Sequence, residues 1–172
     1  METMTVTKLE CAKRQLECAI RLFFENDDPV SIHTLACAAY QLLFDINTHR
    51  GGRPMWVKDR YLKSKPDGTS KLLNEPENFF KHANRDPDGS LEFDPIKTEA
   101  YIVDACRTYT ELTSDKPLLS DCFRAWFTCH DPVELVFSPG KSHFKDDLVR
   151  LHNKNDRHGF VECFMHAMFS CG

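Results

Sequence analysis

The segment that decides the fold reads TKLECAKRQLECAIRLFFENDDPVSIHTLACAAYQLLFDI and spans residues 7–46. Thr7 and Glu10 have the spacing of a capping box, in which two side chains satisfy free amide groups at a helix start. Apolar residues then recur three or four positions apart, which predicts an amphipathic helix. The acidic turn Asn26–Asp28 ends that helix, and Pro29 suits the first position of a second one. The segment therefore predicts a helical hairpin.

The second helix of this hairpin, predicted over residues 29–48, is apolar on two faces. One face carries Ile32, Leu35, Ala36, Ala39, Leu42, Leu43 and Ile46. The other carries His33, Cys37, Tyr40 and Phe44. A helix that is apolar on two faces is buried on both of them, so we expect it to lie at the centre of a bundle.

Helical spacing, interrupted by turn-forming residues, continues through the rest of the chain. We predict an all-α fold, a helical bundle of about five main helices with short additional helices, in one domain over residues 1–172. Residues 1–112 are expected to form the bundle core, and residues 113–172 a C-terminal helical extension packed on it. Further helices are expected to begin near residues 74, 94, 115, 142 and 157. A short helix is expected near Trp56–Leu62 and a short extended piece at Val133–Phe137.

The overall composition narrows the classes of function. The formal net charge is −4, so nucleic acid could bind only at a local basic patch. No apolar run approaches the roughly 20 residues of a membrane span. Residues 1–7 are polar and lack the apolar region of a signal peptide. These features favour a cytoplasmic protein that does not contact membranes.

The eight cysteines include no Cys-x-x-Cys pair, the arrangement that zinc ribbons and thioredoxin-type sites use. Cys11 and Cys18 are seven residues apart, as are Cys122 and Cys129, which places each pair on one helical face. We expect these thiols to be reduced and buried as small apolar side chains. We expect no cofactor and no resident metal.

Polar chemistry is densest between Glu77 and Asp88. On a helix, Asn78, His82 and Arg85 would share one face. An imidazole can move a proton near neutral pH, which makes His82, assisted by Asn78, the candidate catalytic pair. Arg85 and Lys81 are the candidate phosphate-binding residues.

A simpler interpretation of the same segment is a solvated helix face. Glu77 and Lys81 would then form an ordinary i, i+4 ion pair, and Phe79 and Phe80 would anchor the helix to the core.

The first half of the chain resembles the HEPN superfamily of helical-bundle proteins, many of which are ribonucleases of toxin or defence systems. The hairpin from Ala12 through the acidic turn to Ala39 is similar to the family's helix pair, which is rich in small residues. Asn78-Phe-Phe-Lys-His82 resembles the polar-x-x-x-His half of the family's Arg-x(4–6)-His motif. The resemblance covers roughly residues 8–112.

The resemblance implies a helical module that binds RNA, a nucleotide or a partner protein, and a homodimer with the motif at its interface. Position 77 holds Glu where the motif has Arg, so a weak or inactive metal-independent ribonuclease is expected. Arg124 and His130 also have Arg-x5-His spacing, but an alanine follows the Arg. The alternative function is a non-enzymatic interaction or structural bundle.

Two further interpretations concern metals. Residues Asn84–Glu92 match several positions of an EF-hand calcium loop, but position 12 falls on Pro95 instead of Glu. An acidic turn that caps the next helix accounts for the same residues. A second alternative is a metal-binding helical enzyme that uses His33, His82 and the pair Glu162 and His166.

A basic cluster at a late helix junction could bind a phosphate or an acidic partner. Its residues are Arg150, His152, Lys154, Arg157 and His158.

Overall fold

The computed structural model describes residues 3–61, 69–84, 86–129 and 143–169. These residues form seven α-helices, one short π-helical segment and no β-strand, which confirms the predicted all-α class. The α-helices are α1 (Lys8–Phe24), α2 (Pro29–His49), α3 (Thr69–Lys81), α4 (Lys97–Thr113), α5 (Leu118–Thr128), α6 (His143–Asn153) and α7 (Arg157–Phe169). The π-helical segment is Trp56–Tyr61. The expected count of about five main helices is too low, because α3 and α6 are full helices of 13 and 11 residues.

Both helices of the α1–α2 hairpin begin where predicted. At the start of α1, the Thr7 backbone N–H donates to Glu10 Oε2 at 2.7 Å, and Glu10 N donates to Thr7 Oγ1 at 3.2 Å. This is the predicted capping box. Asp28 Oδ2 accepts from Ser31 N at 2.8 Å, and Pro29 follows as the first residue of α2. Both helices therefore begin where the side chains satisfy their free amides.

α2 lies at the centre of the described bundle, where it packs against α1, α4 and α3. Its buried residues come from both predicted apolar faces and include Ile32, His33, Ala36, Cys37, Ala39, Tyr40 and Leu43. The prediction of a helix buried on two sides is confirmed. Three other helices therefore pack directly against α2.

An aromatic cluster joins the later helices to α1. The Phe23 ring lies 5.0 Å from that of Phe123 in α5, and Phe24 stacks on Phe160 of α7 at 6.2 Å. Trp126 contacts Phe160 edge to face at 5.1 Å. Such aromatic pairs stabilise by about 0.5–1.5 kcal/mol each beyond the area they bury. α5 and α7 are thereby packed on the hairpin.

Three predicted helix starts are wrong. α5 begins at Leu118 instead of near residue 115, because Pro117 disfavours a helical conformation at the residue before it. α3 begins at Thr69 instead of near Asn74, and it continues through Pro76, which lacks the amide of an i→i−4 bond. Packing of Phe80 against Phe93, with ring centroids 5.1 Å apart, holds the end of this helix in place. α4 begins at Lys97 instead of at Asp94, whose carboxylate accepts from Ile96 N in the preceding turn.

The cysteines are reduced in the described structure, as expected. The seven cysteines within the described ranges are free thiols. Burial raises the pKa of Cys37 and of Cys106 to about 12, so these side chains are neutral thiols at physiological pH. No helix in the described part of the chain is long and apolar enough to cross a membrane. The extended piece expected at Val133–Phe137 lies outside the described residues.

Replacing Leu16 tests the core between α1 and its neighbours. Leu16 is 1% exposed, so Leu16→Ala should lower the free energy of unfolding by about 2–5 kcal/mol. Leu22→Ala on the same helix is the control, because Leu22 is only half-buried and should cost less. Urea unfolding followed by circular dichroism measures both. Equal losses in the two variants would contradict the described packing.

Candidate functional site

The candidate catalytic residues lie at the exposed end of α3. Lys81 is the last helical residue, and the His82 backbone N–H still donates to the Asn78 carbonyl at 3.0 Å. His82 and Asn78 are both exposed and come from successive turns. Arg85, the candidate phosphate ligand, lies outside the described residues. The described part of the segment therefore offers an imidazole and an amide on the surface.

The simpler interpretation of this segment agrees with its geometry. Lys81 Nζ lies 2.7 Å from Glu77 Oε1, which is the predicted i, i+4 ion pair. The Phe80 ring packs 5.8 Å from the imidazole of His33 in the core. Lys81 is thus paired with a carboxylate of its own helix, and Phe80 anchors that helix as expected.

His33 is a packed core histidine. It is 1% exposed, and both ring nitrogens lie near polar atoms of the protein: Nδ1 is 2.9 Å from Thr98 Oγ1, and Nε2 is 3.3 Å from Cys37 Sγ. Burial lowers its pKa to about 4; nearby Glu77 opposes the shift and Lys81 adds to it. His33 is therefore neutral at physiological pH.

The other proposed metal ligands are separated in the described structure. Glu162 faces His158, with Oε1 and Nδ1 3.8 Å apart, whereas His166 packs against Phe144 at 5.7 Å between ring centroids. Across the described ranges, no group of three or more His, Cys, Asp or Glu residues could hold a metal ion. At the proposed calcium loop, Gly89 N donates to the Asp86 carbonyl at 3.0 Å, which is the predicted acidic turn.

A buried carboxylate lies beside Tyr40, two turns along the same face of α2 from His33. Asp104 of α4 has a fully buried side chain, and its Oδ2 accepts from Tyr40 Oη at 3.2 Å and from Val57 N at 3.0 Å. Arg107 Nη2 forms an ion pair with Asp104 Oδ1 at 2.9 Å and donates to the Pro54 carbonyl at 3.1 Å. Burial raises the Asp104 pKa, while the Val57 amide and the Arg107 charge oppose that shift.

These contacts fix a surface depression that we call the arginine–aromatic groove. Its volume is about 270 Å³, and it is lined by Trp56, Val103, Asp104, Arg107, Arg124, Phe127 and Thr128. Trp56 is 44% exposed, with its ring 6.4 Å from Phe127 in an edge-to-face arrangement. The side chains of Arg107 and Arg124 are 40% and 46% exposed. The groove thus presents two guanidinium groups beside an accessible indole.

A second depression, which we call the end pocket, lies where the ends of several helices meet. Its volume is about 400 Å³. The lining comes from the α1–α2 turn, the start of α4, Trp126 of α5 and the α6–α7 junction. Arg157 stacks on the Phe23 ring at 3.8 Å and donates to the Phe23 carbonyl at 3.2 Å. Burial lowers the Arg157 pKa, and the nearby Glu99 carboxylate opposes that shift.

Sequence reasoning missed both depressions. Arg157 and His152 were assigned to a basic cluster, but nothing in their spacing showed that they would meet Phe23 or Trp126. Trp56 carried a weak signal, because the segment from Arg50 to Lys58 contains three cationic residues and no acidic one. Its proximity to Arg107 and Arg124 depends on tertiary packing, which spacing along the chain does not reveal.

The depressed pKa of His33 predicts acid sensitivity. Between about pH 6.5 and 4 the unfolded chain binds a proton on this residue and the folded chain does not. This residue's contribution to the free energy of unfolding should therefore fall as pH drops through that range, by at most about 1.4 kcal/mol per pH unit. NMR titration of the His33 imidazole in the folded protein, with urea unfolding across pH, measures both quantities. An imidazole that protonates near pH 6.5 would contradict the buried position.

The chain has no significant match to any protein-family model, to any curated protein or to any solved structure. The likeness to the HEPN superfamily accordingly remains a resemblance of sequence pattern. Helical bundles carry many unrelated functions, so the argument for function depends on the residues of the site itself.

Proposed function

We propose that this protein is a helical module that binds single-stranded RNA or a nucleotide in the arginine–aromatic groove. The observation that carries the proposal is an exposed tryptophan, Trp56, in one shallow groove with two half-exposed arginines, Arg107 and Arg124. An indole face and guanidinium groups match the two parts of a nucleotide, the planar base and the anionic phosphate.

The indole supplies a stacking surface for a base. Proteins that bind single strands commonly stack bases on aromatic side chains, at about 1–3 kcal/mol per base. Trp56 is positioned for this role because the next residue, Val57, donates its amide to buried Asp104 at 3.0 Å. Phe127 supports the ring from α5. The stacking surface is therefore held in place before a ligand arrives, which limits the entropic cost of binding.

The guanidinium groups supply phosphate contacts of two kinds. Arg107 is oriented by Asp104 and by the Pro54 carbonyl, so its position is fixed. Arg124 lies 3.5 Å from Asp121, a longer and half-exposed ion pair that a phosphate could replace at small cost. Arginine binds phosphate through paired, charge-assisted hydrogen bonds.

The segment that carries Trp56 is basic in sequence. Arg50, Arg53 and Lys58 lie on the segment that carries Trp56, and residues 50–58 contain no acidic side chain. A chain of net charge −4 can attract RNA only through such a local basic surface. The groove itself contributes Arg107 and Arg124 beside the Trp56 ring.

Trp56→Ala should lower the affinity for a short single-stranded RNA by about 5- to 150-fold, the equivalent of about 1–3 kcal/mol, because it removes the stacking surface. Trp56→Phe is the conservative partner variant and should retain most of the affinity. Fluorescence anisotropy with a labelled oligonucleotide measures both. Wild-type affinity in Trp56→Ala would contradict the proposal.

Arg124→Gln tests the contribution of the positive charge to RNA binding. It should weaken binding and reduce the dependence of affinity on salt, because one phosphate contact is lost. Arg150→Gln is the matched control: Arg150 is exposed on α6 and also pairs with an aspartate three residues earlier. Equal effects of the two variants would mean that net charge alone governs binding. If no oligonucleotide or nucleotide binds the wild type, the alternative of a protein-interaction bundle replaces this proposal.

A second candidate function is metal-independent RNA cleavage by His82 with Asn78. The observation in its favour is that both side chains are exposed on successive turns at the end of α3. His82 would move a proton at the ribose hydroxyl or at the leaving oxygen, and Asn78 would hydrogen-bond the phosphate. Glu77, which is paired with Lys81, stands where the HEPN motif has Arg, so any cleavage is expected to be slow.

Incubation of the wild type with structured RNA tests this second function. Cleavage should persist in EDTA and be lost in His82→Ala, because the proposed mechanism needs an imidazole and no metal. His158→Ala is the control, since His158 is another exposed histidine, paired with Glu162 on α7. Cleavage that survives in His82→Ala, or that EDTA abolishes, would exclude this mechanism.

A further inference from the structure

The end pocket is lined by acidic and basic side chains that come from different elements, which we call its acidic and basic walls. Its three carboxylates come from two elements. Asp27 lies in the α1–α2 turn, and Asp94 and Glu99 lie just before α4 and in its first turn. Its basic groups, Arg157 and His152, come from the α6–α7 junction. Phe23, Ile32 and Trp126 supply apolar and aromatic surface between these elements. The pocket therefore offers acceptors, donors and an apolar surface within one enclosure.

We propose that the end pocket binds a compact zwitterion of the α-amino acid type with an apolar side chain. The ligand's ammonium group would meet Asp27 and Asp94, its carboxylate would meet Arg157, and its side chain would pack beside Trp126. This site is distinct from the arginine–aromatic groove and does not depend on the function proposed for that groove.

The charge pattern favours a zwitterion over a ligand of one sign. A simple cation would approach the acidic residues but would also face the Arg157 guanidinium, which lies over Phe23 at 3.8 Å. A simple anion would meet Arg157 but would face three carboxylates. A molecule with both charges a few bonds apart pairs with both walls, so neither of its charges loses water without gaining a partner.

Two donors in the pocket lining support the assignment. Trp126 is 3% exposed, and within the described residues its Nε1–H has no hydrogen-bond acceptor. The Arg157 Nε–H likewise has no acceptor in the described part of the chain. Buried donors in native proteins are almost always satisfied by the protein, by water or by a ligand. A ligand carboxylate beside Trp126 and Arg157 would supply the missing acceptor.

The size of the pocket also suits a ligand of this class. Its volume of about 400 Å³ is near the lower end of the range of about 300–1,000 Å³ typical of small-molecule sites. Rigid helix termini form the lining, and Arg157 is held by both the Phe23 ring and the Phe23 carbonyl. The site is thus preformed and too small for a folded partner.

Isothermal titration calorimetry with three matched probes tests the proposal. L-leucine carries both charges, L-leucinamide carries only the cation, and 4-methylpentanoate carries only the anion, with the same branched side chain throughout. In neutral buffer, L-leucine should bind at least tenfold more tightly than either analogue, because only it pairs with both walls. In Trp56→Phe, which leaves Trp126 as the single tryptophan, L-leucine should also change the fluorescence.

A double substitution of two exposed carboxylates tests whether the ligand binds in the end pocket. Asp27→Asn combined with Asp94→Asn should weaken L-leucine binding at least tenfold, while the amide oxygens can still accept from the Asp28 and Ile96 amides. Glu111→Gln, an exposed change at the far end of α4, is the control and should leave the affinity unchanged. Equal affinity for the three probes, no binding up to about 10 mM, or an equal loss in the control would overturn the proposal.

Discussion

The arrangement of the arginine–aromatic groove depends on the buried carboxylate of Asp104. Its Oδ2 accepts from the Tyr40 hydroxyl of α2 and from the amide of Val57, and its Oδ1 pairs with Arg107. The Lys58 amide also donates to the Tyr40 hydroxyl at 3.0 Å. A buried carboxylate without such partners would be strongly destabilising, so these contacts must form together. One acidic residue thereby connects α2, α4 and the segment that carries Trp56.

The packing of the other helices holds α2 and α4 in the positions that these contacts require. α2 is buried on two faces and orients α1, α3 and α4, while the aromatic cluster around Phe23 holds α5 and α7. α5 carries Trp126 toward the end pocket and the neighbouring Phe127 toward the groove. Adjacent residues of one helix thus line the two depressions, which explains how a small bundle can hold two separate polar sites.

Elements governed by local chemistry could be predicted from the sequence. The capping box of Thr7 and Glu10, the start of α2 at Pro29 and the two buried faces of α2 follow from short-range spacing. The start of α3 at Thr69 was not predicted, because Pro76 lacks a backbone amide and favours a helix that begins close to it. The density of polar residues and the HEPN resemblance both indicate His82, whose role stays a prediction.

The two depressions were harder to foresee. Asp104 lies in an amphipathic helix, where an aspartate is usually solvated, and only its contacts with Tyr40 and Val57 show why it is buried. Trp56 and Arg124 are far apart in the sequence, and α4 and α5 bring them into one groove. A local pattern can suggest such residue types, but only the packing of helices puts them together.

The central claim is that the arginine–aromatic groove is the surface that binds RNA or a nucleotide. The most direct measurement is a two-dimensional NMR titration of the isotopically labelled protein with a short single-stranded oligonucleotide. We expect the largest shifts at the Trp56 indole N–H, at the side-chain N–H groups of Arg107 and Arg124, and at the backbone amide of Phe127. Shifts confined to the end of α3 around Asn78 and His82, or no shifts at all, would contradict it.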